Sequence, residues 1–494
     1  MLMSLFRKKP LSVLLAQAGD HGGLKRTLSA TGLIALGIGA IIGAGLFVRT
    51  AAAASENAGR AVTLSFLVAA IGCLFAGLCY AEFAAMIPIA GSAYTYAYVT
   101  MGEFVAWVIG WALILEYALG AATVSIAWSE YLNRLVGNSI PYQWCHSPLE
   151  TSPAGVHGMM NLPALAILLI LTLLLIKGTQ ESATVNSIIV AIKIGIVLVF
   201  IAVGWSFINP AHQGPFFIPE NFDAAHMGVF KHGWGGVLGG AGIVFFAFIG
   251  FDAVSTAAQE TKNPGRDMPI GILGSLAVCT VLYVLFGYVL TGIAPWADFA
   301  KAGKEASVAY AISTYMTGYG WLGTAVTIAI LAGFSSVILV MLLGQSRVFY
   351  SMANDGLLPR LFAEVHPRFR TPYKCNAVLF LFVGAFAAFV PESLAGDLTS
   401  IGTLFAFVLV CIGVWIMRGM APNQARPFRT PMVPLVPILG VLVCSAMIIA
   451  LDRTTQLTAL AWMALGFVFY FLYGKTHSKL LPQNAPGVAS QAAD

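Results

Sequence analysis

The stretch GIGAIIGAGLF, from Gly37 to Phe47, decides how the chain is read. It lies in a run from Ala30 to Val48 that contains no charged residue. About 20 such residues cross a bilayer as a helix. Yet the run carries Gly32, Gly37, Gly39, Gly43 and Gly45, and each glycine weakens a helix interior by about 1 kcal/mol relative to alanine. The sequence therefore predicts a membrane span that is interrupted midway.

The surroundings fit that solvent. Of 494 residues, 59% are hydrophobic and only 10% charged, with mean hydropathy +0.84. A soluble domain carries roughly a quarter charged residues. Twelve apolar segments follow, near 31–54, 61–87, 92–132, 161–177, 183–208, 234–259, 268–293, 311–346, 374–390, 398–417, 432–450 and 456–474. The third and eighth exceed one crossing and are expected to include flanking helix. The predicted fold class is an all-α integral membrane protein of twelve transmembrane helices. Residues 1–30 are expected to form a cytoplasmic N-terminal segment, 31–474 one twelve-span membrane domain, and 475–494 a disordered cytoplasmic tail.

Lys and Arg set the orientation. With the N-terminus inside, 18 of the 26 fall on the cytoplasmic side, seven outside, and Lys193 within a span. Both termini are then cytoplasmic, and the net charge of +5 is a matter of topology rather than a nucleic-acid footprint. No cleavable leader is read before the first span. The seven cysteines have no metal-ligand spacing, and Cys145 has no evident disulfide partner.

A second glycine-laden span, GWGGVLGGAGIVFFAFIG, carries seven glycines between Gly233 and Gly250. Ala247 stands 204 residues beyond Gly43. Interrupted spans at corresponding places in two halves point to a substrate site in a repeat-built transporter. Segments 1–5 and 6–10 are each odd in number, so their topologies are opposite. Repeat one covers about 31–208, repeat two about 234–417, and segments 11 and 12, about 432–474, are an addition. Taken alone, Gly39 and Gly43 also fit a GxxxG contact between helices. The second span in the matching place favours interruption.

The motifs GIGAIIGAGLFV, FFAFIGFDAVSTAAQETKNPGRDMPIGI and LLGQSRVFYSMANDGLLP together resemble the amino acid–polyamine–organocation superfamily, within it the cationic amino acid transporter family and its bacterial members. The resemblance runs from about Leu24 to Gly474. It implies the leucine-transporter fold, a 5+5 inverted repeat with spans 1 and 6 unwound midway, plus two further helices. It also implies a plasma-membrane protein that moves a small amino acid, with protons as the coupling ion and no other cofactor or metal. A small single-span membrane subunit is a candidate partner besides the bilayer itself.

Freed amides at Gly43, Ala44 and Gly45 form the positive end of a half-helix and suit a carboxylate. Open carbonyls at Ile41, Phe246, Ala247 and Ile249 suit an ammonium group. The resemblance places substrate contacts at Ile41, Ala44, Gly45, Phe246, Ala247 and Ile249. Lys193 is the Lys or Arg nearest the centre of any span. It is read as a snorkelling side chain, a partner for a carboxylate, or a proton carrier, and the resemblance favours the last. Glu116 is either a protonated glutamate bonded to backbone or a carboxyl lining the site. Asp252, Glu260 and Arg347 form a cytoplasmic gate or merely mark helix ends in a solvated vestibule, and Glu82 belongs with them. Met341 is core filling or a pocket residue that shortens the room for long basic side chains, which favours small or medium neutral amino acids over arginine. Ser335 and Ser336 either complete a sodium site or bond to their own helix backbone, and the second reading is favoured. All eight histidines fall outside the segments, so no HExxH zinc motif exists. The function expected is proton-coupled amino acid uptake, with an amino acid or polyamine exchanger of the same fold and no net proton coupling as the alternative, and not an enzyme.

Overall fold

A computed structural model describes residues 7–10, 28–88, 92–152, 154–177, 183–220, 222, 226–300, 307–369 and 371–480. Among these residues the secondary structure is helical, apart from two isolated bridges, Leu28 with Thr261 and Thr151 with His157. Each expected segment contains helix. Segment 1 gives α1 (Ala30–Ile41) and, after a bend, α2 (residues 45–58). Segment 2 is α3 (Val62–Met86). The long third segment divides into α4 (Ser92–Thr100) and α5 (Glu103–Leu135). Then come α6 (Leu162–Lys177) and α7 (Ala183–Trp205).

Segment 6 gives α8 (Gly233–Val244) and a short α9 (Ala253–Thr256). It is followed by α10 (Pro264–Ile293), with proline at the first helical position, where no N–H is needed. The eighth segment also divides, into α11 (Ser307–Tyr315) and α12 (Gly320–Asn354). The remainder is α13 (Tyr373–Phe389), α14 (Glu392–Met420), α15 (Leu435–Ala450) and α16 (Arg453–Phe469). Among the described residues, eight helical stretches are long and apolar enough to cross a membrane; α1, α6, α13 and α15 are shorter apolar helices.

The packing comes in matched pairs. Helix α3 lies against α10, α5 against α12, and α6 against α13, each joining elements five segments apart. Cross-pairs match as well: α1 packs on α10 as α8 packs on α3, α5 on α13 as α12 on α6, and α1 on α7 as α8 on α14. Most glycines of α8 serve this close packing rather than a break. A side-chain carbon at Gly240 would stand 2.7 Å from Ser65 Oγ and 3.0 Å from Ala58 Cβ. The GxxxG-type reading thus describes the first half of segment 6.

Two expectations change. Helix α14 starts at Glu392, six residues before its predicted segment, because buried Arg49 binds both Glu392 and Asp397 and neutralises an acidic first turn that resembles loop. At the C-terminus, residues 475–480 are ordered rather than a disordered tail. Lys475–His477 is helical, Ser478 Oγ donates to Glu103, and the Lys479 amide donates to Asp355 O at 3.1 Å. A buried carboxylate at the start of α5 captures what composition alone assigns to solvent. Residues 481–494, and 1–6 and 11–27 of the expected N-terminal segment, lie outside the described residues. Lys9 Nζ binds Asp355 Oδ1 at 3.1 Å, and Arg7 Nη1 donates to Leu480 O at 3.3 Å, so residues 7–9 and 480 lie on one face.

On the opposite face the 136–161 connector is tied down by His146, whose Nε2 is 3.0 Å from Glu130 and whose ring stacks on Tyr142. Burial opposes charge on this imidazole, but the hydrogen bond and charge of Glu130, with the Tyr142 carbonyl, outweigh it and raise the pKa above the usual 6.5. A raised histidine pKa contributes stability in full below the unfolded value and loses it as pH rises through the folded one. Amides of 140–150 are therefore expected to exchange faster at pH 8 than at pH 5.5, after correction for intrinsic rates. A His146→Gln variant should lack that difference, and an equal pH effect in both proteins would remove this role.

Candidate functional site

The two broken spans meet at their breaks. In the first, Ile42 N makes the last α-helical bond, to Ile38 O at 2.9 Å, and the backbone turns extended at Ile42. Helix α2 then opens as a π-turn from Gly45 to Arg49, with Leu46 N returning to Gly43 O at 3.3 Å. In the second, α8 tightens into a 3₁₀ turn, Phe245–Phe248, and stops at Ile249, whose backbone is extended. Gly250 follows with φ +109°, a conformation L side chains resist. Gly45 lies directly on the backbone of Ala247, with no room for a side chain between them.

A helix that ends in the bilayer leaves its last carbonyls open, and each must find a donor inside the protein. Lys193 Nζ, from α7, donates to Gly39 O at 2.8 Å. Tyr283 Oη, from α10, donates to both Ile41 O at 3.1 Å and Ala247 O at 2.9 Å. Lys193 is 2% exposed, so its side chain does not snorkel to the surface. The carbonyls expected at Ile41 and Ala247 are therefore at the junction, within reach of one hydroxyl. Ala44, Phe246 and Ile249 are buried around it, and a side-chain carbon at Gly43 would stand 3.2 Å from Val337 of α12.

Beyond the junction, Glu116 occupies a π-turn of α5, Leu115–Leu119, and is fully buried. It lies beside Asp252 and Thr403, although neither of its oxygens has a hydrogen-bond partner of regular geometry among the described residues. Asp252 Oδ2 accepts from Tyr117 Oη at 2.7 Å. Met341 is buried, its sulfur 3.7 Å from where a side chain on Gly120 would begin, so it fills the wall one turn from Glu116.

The charges expected at the inner end separate into distinct groups. Glu260 and Arg347 approach to 3.9 Å, both about one-third exposed, while Asp252 takes Tyr117 rather than Arg347. Glu82 is not with them. It receives Arg418 through both carboxylate oxygens at 2.8 Å and the Thr430 amide at 2.8 Å, with Arg426 Nε 3.1 Å away, and so pins α3 to α14 and the turn after it. Ser335 and Ser336 bond to Leu331 O and Gly333 O in their own helix, as expected. All seven cysteines are buried free thiols.

Two contributors were not foreseen. Tyr283 sits in an unremarkable apolar run, and only its distance from Ile41 and Ala247 in the fold gives it a role. Arg49 is one of the seven bases that the sequence assigns to the outside. It is instead buried at the end of the π-turn of α2, where it joins that half-helix to Glu392 at 3.3 Å and to Asp397 of α14. Its placement just after an apolar run was the one available signal.

Residues 28–471 match the family model described as amino acid permease. The chain belongs to that family, within the amino acid–polyamine–organocation superfamily. It is 43% identical over 483 residues to the branched-chain amino acid permease BcaP of Bacillus subtilis, covering 97% of this chain and 99% of the relative. It is 40% identical to the methylthioribose transporter of the same organism, over 97% and 100%. The vacuolar cationic amino acid transporter 4 of Arabidopsis thaliana is 33% identical over 85% of this chain and 68% of its own. These relatives are permeases and transporters, and the protein is a multi-pass membrane transporter rather than an enzyme.

Two substitutions probe this construction. Gly45→Ala forces a methyl against backbone that cannot yield and is expected to cost about 1–3 kcal/mol, at the upper end of that range. Gly195→Ala, in the interior of α7 with open space around it, should hold or raise the melting temperature, because alanine is the better helix former; a Gly45→Ala protein that melts no lower than wild type would show that the Gly45–Ala247 approach is slack. Arg49→Met strands two buried carboxylates and is expected to destabilise by about 3–5 kcal/mol, read as a fall in melting temperature. A wild-type melting curve would mean that Glu392 and Asp397 do not need the arginine.

Proposed function

We propose that this protein takes up neutral L-amino acids of branched-chain size across the plasma membrane by alternating access, driven by protons. The observation that carries this reading is the junction of two interrupted helices, where the carbonyls of Ile41 and Ala247 converge on one point beside the start of α2. An α-amino acid needs such a pair: acceptors for its ammonium and, at Gly43, Ala44 and Gly45, helix-start amides for its carboxylate. Backbone recognises the head group, and the wall formed by Phe246, Ile249 and Met341 receives an apolar side chain. Met341 shortens the room for a long basic side chain, which favours neutral substrates over arginine, in line with the named substrate of the Bacillus subtilis relative.

The architecture proposed is twelve crossings in two inverted five-span repeats, about 31–208 and 234–417, with the leucine-transporter arrangement and two added spans. The matched packing of elements five segments apart supports it. The meeting of residues 7–9 with Asp355 and Leu480 on one face supports an even number of crossings, and the 18-to-7 distribution of basic residues supports a cytoplasmic assignment for that face. Glu260 and Arg347 are proposed as part of the inner gate, with Asp252 acting through Tyr117.

Lys193 is proposed as the proton carrier. Its ammonium holds Gly39 O at the end of α1, and loss of the proton would weaken a charge-assisted bond to the helix that must move. In proteoliposomes an inward proton gradient should drive leucine accumulation without sodium. Lys193→Ala should abolish that accumulation while leucine–leucine counterflow persists. Retained gradient dependence in Lys193→Ala would remove the lysine from this role, and counterflow without any gradient-driven uptake in the wild type would make the protein an exchanger. The methylthioribose relative supplies a second reading, and competition of methylthioribose with leucine separates the two.

A further inference from the structure

The carbonyls that an ammonium group needs are already engaged. Tyr283 Oη donates to Ile41 O at 3.1 Å and to Ala247 O at 2.9 Å, and its ring is held by Phe248 and Phe66 at centroid distances of 5.2 and 5.5 Å. A tyrosine hydroxyl has one proton and divides it between the two acceptors, whereas an ammonium has three and carries a charge. Charge-assisted hydrogen bonds are roughly twice as strong as neutral ones. Both carbonyls are buried, so a donor must be present at all times.

We infer that Tyr283 is a positioning residue whose hydroxyl stands in for the substrate ammonium, satisfying both breaks until an amino acid displaces it. The inference rests on the binding reading above and adds to it a competitor built into the site. On binding, two N–H bonds of the ammonium replace the shared O–H bond, and no covalent bond changes. The released hydroxyl has a polar neighbour on its own helix, the buried thiol of Cys279 one turn earlier on α10. A guest with no donor at the corresponding atom cannot replace the hydroxyl, because it would strand two buried carbonyls. The hydroxyl therefore discriminates for amines as well as holding the site together.

The sign of the effect distinguishes this from a merely structural pin. In Tyr283→Phe the two carbonyls lose their donor when no ligand is bound, and an arriving ammonium then repays more. Leucine should bind the full-length variant about three- to tenfold more tightly than wild type, since about 1.4 kcal/mol is tenfold. The KM for uptake should fall in parallel, while kcat should not rise. The affinity for 4-methyl-2-oxopentanoate, which lacks the amine, should stay low in both proteins. If Tyr283 only pins the helices, the variant should bind leucine no better or worse than wild type, and that result overturns the inference. A second measurement uses protein carrying 3-fluorotyrosine at position 283. Leucine should shift its fluorine resonance and the keto acid should not, so an unmoved resonance at saturating leucine also overturns the inference, even if the variant fails to fold. Wild-type protein that gains no thermal stability from leucine would refute the amino acid reading itself; leucine binding without these two signatures would refute Tyr283's role alone.

Discussion

Helix ends inside a bilayer expose carbonyls that have no water to turn to, and the rest of this structure is arranged around that constraint. Ile38 O is the last α1 carbonyl bonded within the helix at the break. Beyond it, Gly39 O is given to a lysine and Ile41 O to a tyrosine, each from a different helix. The interruption is thus buried, and two of its carbonyls have assigned donors. Because those donors come from α7 and α10, any change in one broken span is felt by two others.

The same need explains why the two breaks touch. Gly45 against Ala247 removes the room into which lipid or stray water could enter, and Gly250 adopts the backbone angle that lets segment 6 turn beside Ala40. Close packing of α8 through its other glycines brings the second half of the chain against the first. Ion pairs add fixed points at a distance from the junction. Arg49 joins α2 to α14 at one end, and Glu82 with its two arginines joins α3 to α14 at the other.

Much of this was legible along the chain because glycine and hydropathy are local signals. The break at Gly43 and the helix limits near Val62, Leu162 and Tyr373 needed only windows of neighbouring residues. The parts that were not legible depend on partners far away. Tyr283 meets Ile41 across 242 positions, and Arg49 meets Asp397 across 348. A tyrosine among apolar residues, or an arginine after them, carries no mark of such a pairing. Glu392 and Asp397 were misread for the same reason: acidic residues look like loop until their counter-charge is known. Glu82 was grouped with the gate on its position near an inner helix end, but its carboxylate is wholly engaged by Arg418 and Thr430.

The meeting of the chain ends at α4, α5 and the foot of α12 also has a mechanical meaning. Glu103 takes hydroxyls from Tyr98, Tyr470 and Ser478, while Asp355 takes Lys9, Tyr94 and the Lys479 amide. Residues 7–9 are in effect tied to residues 478–480, and the segment after α16 is strapped to α4, α5 and the foot of α12 rather than hung beside them. Any tilt of α5 against α12 must carry this knot along or undo it. A fusion joined after Lys475 would cut the strap, whereas one joined beyond residue 480 would leave it whole.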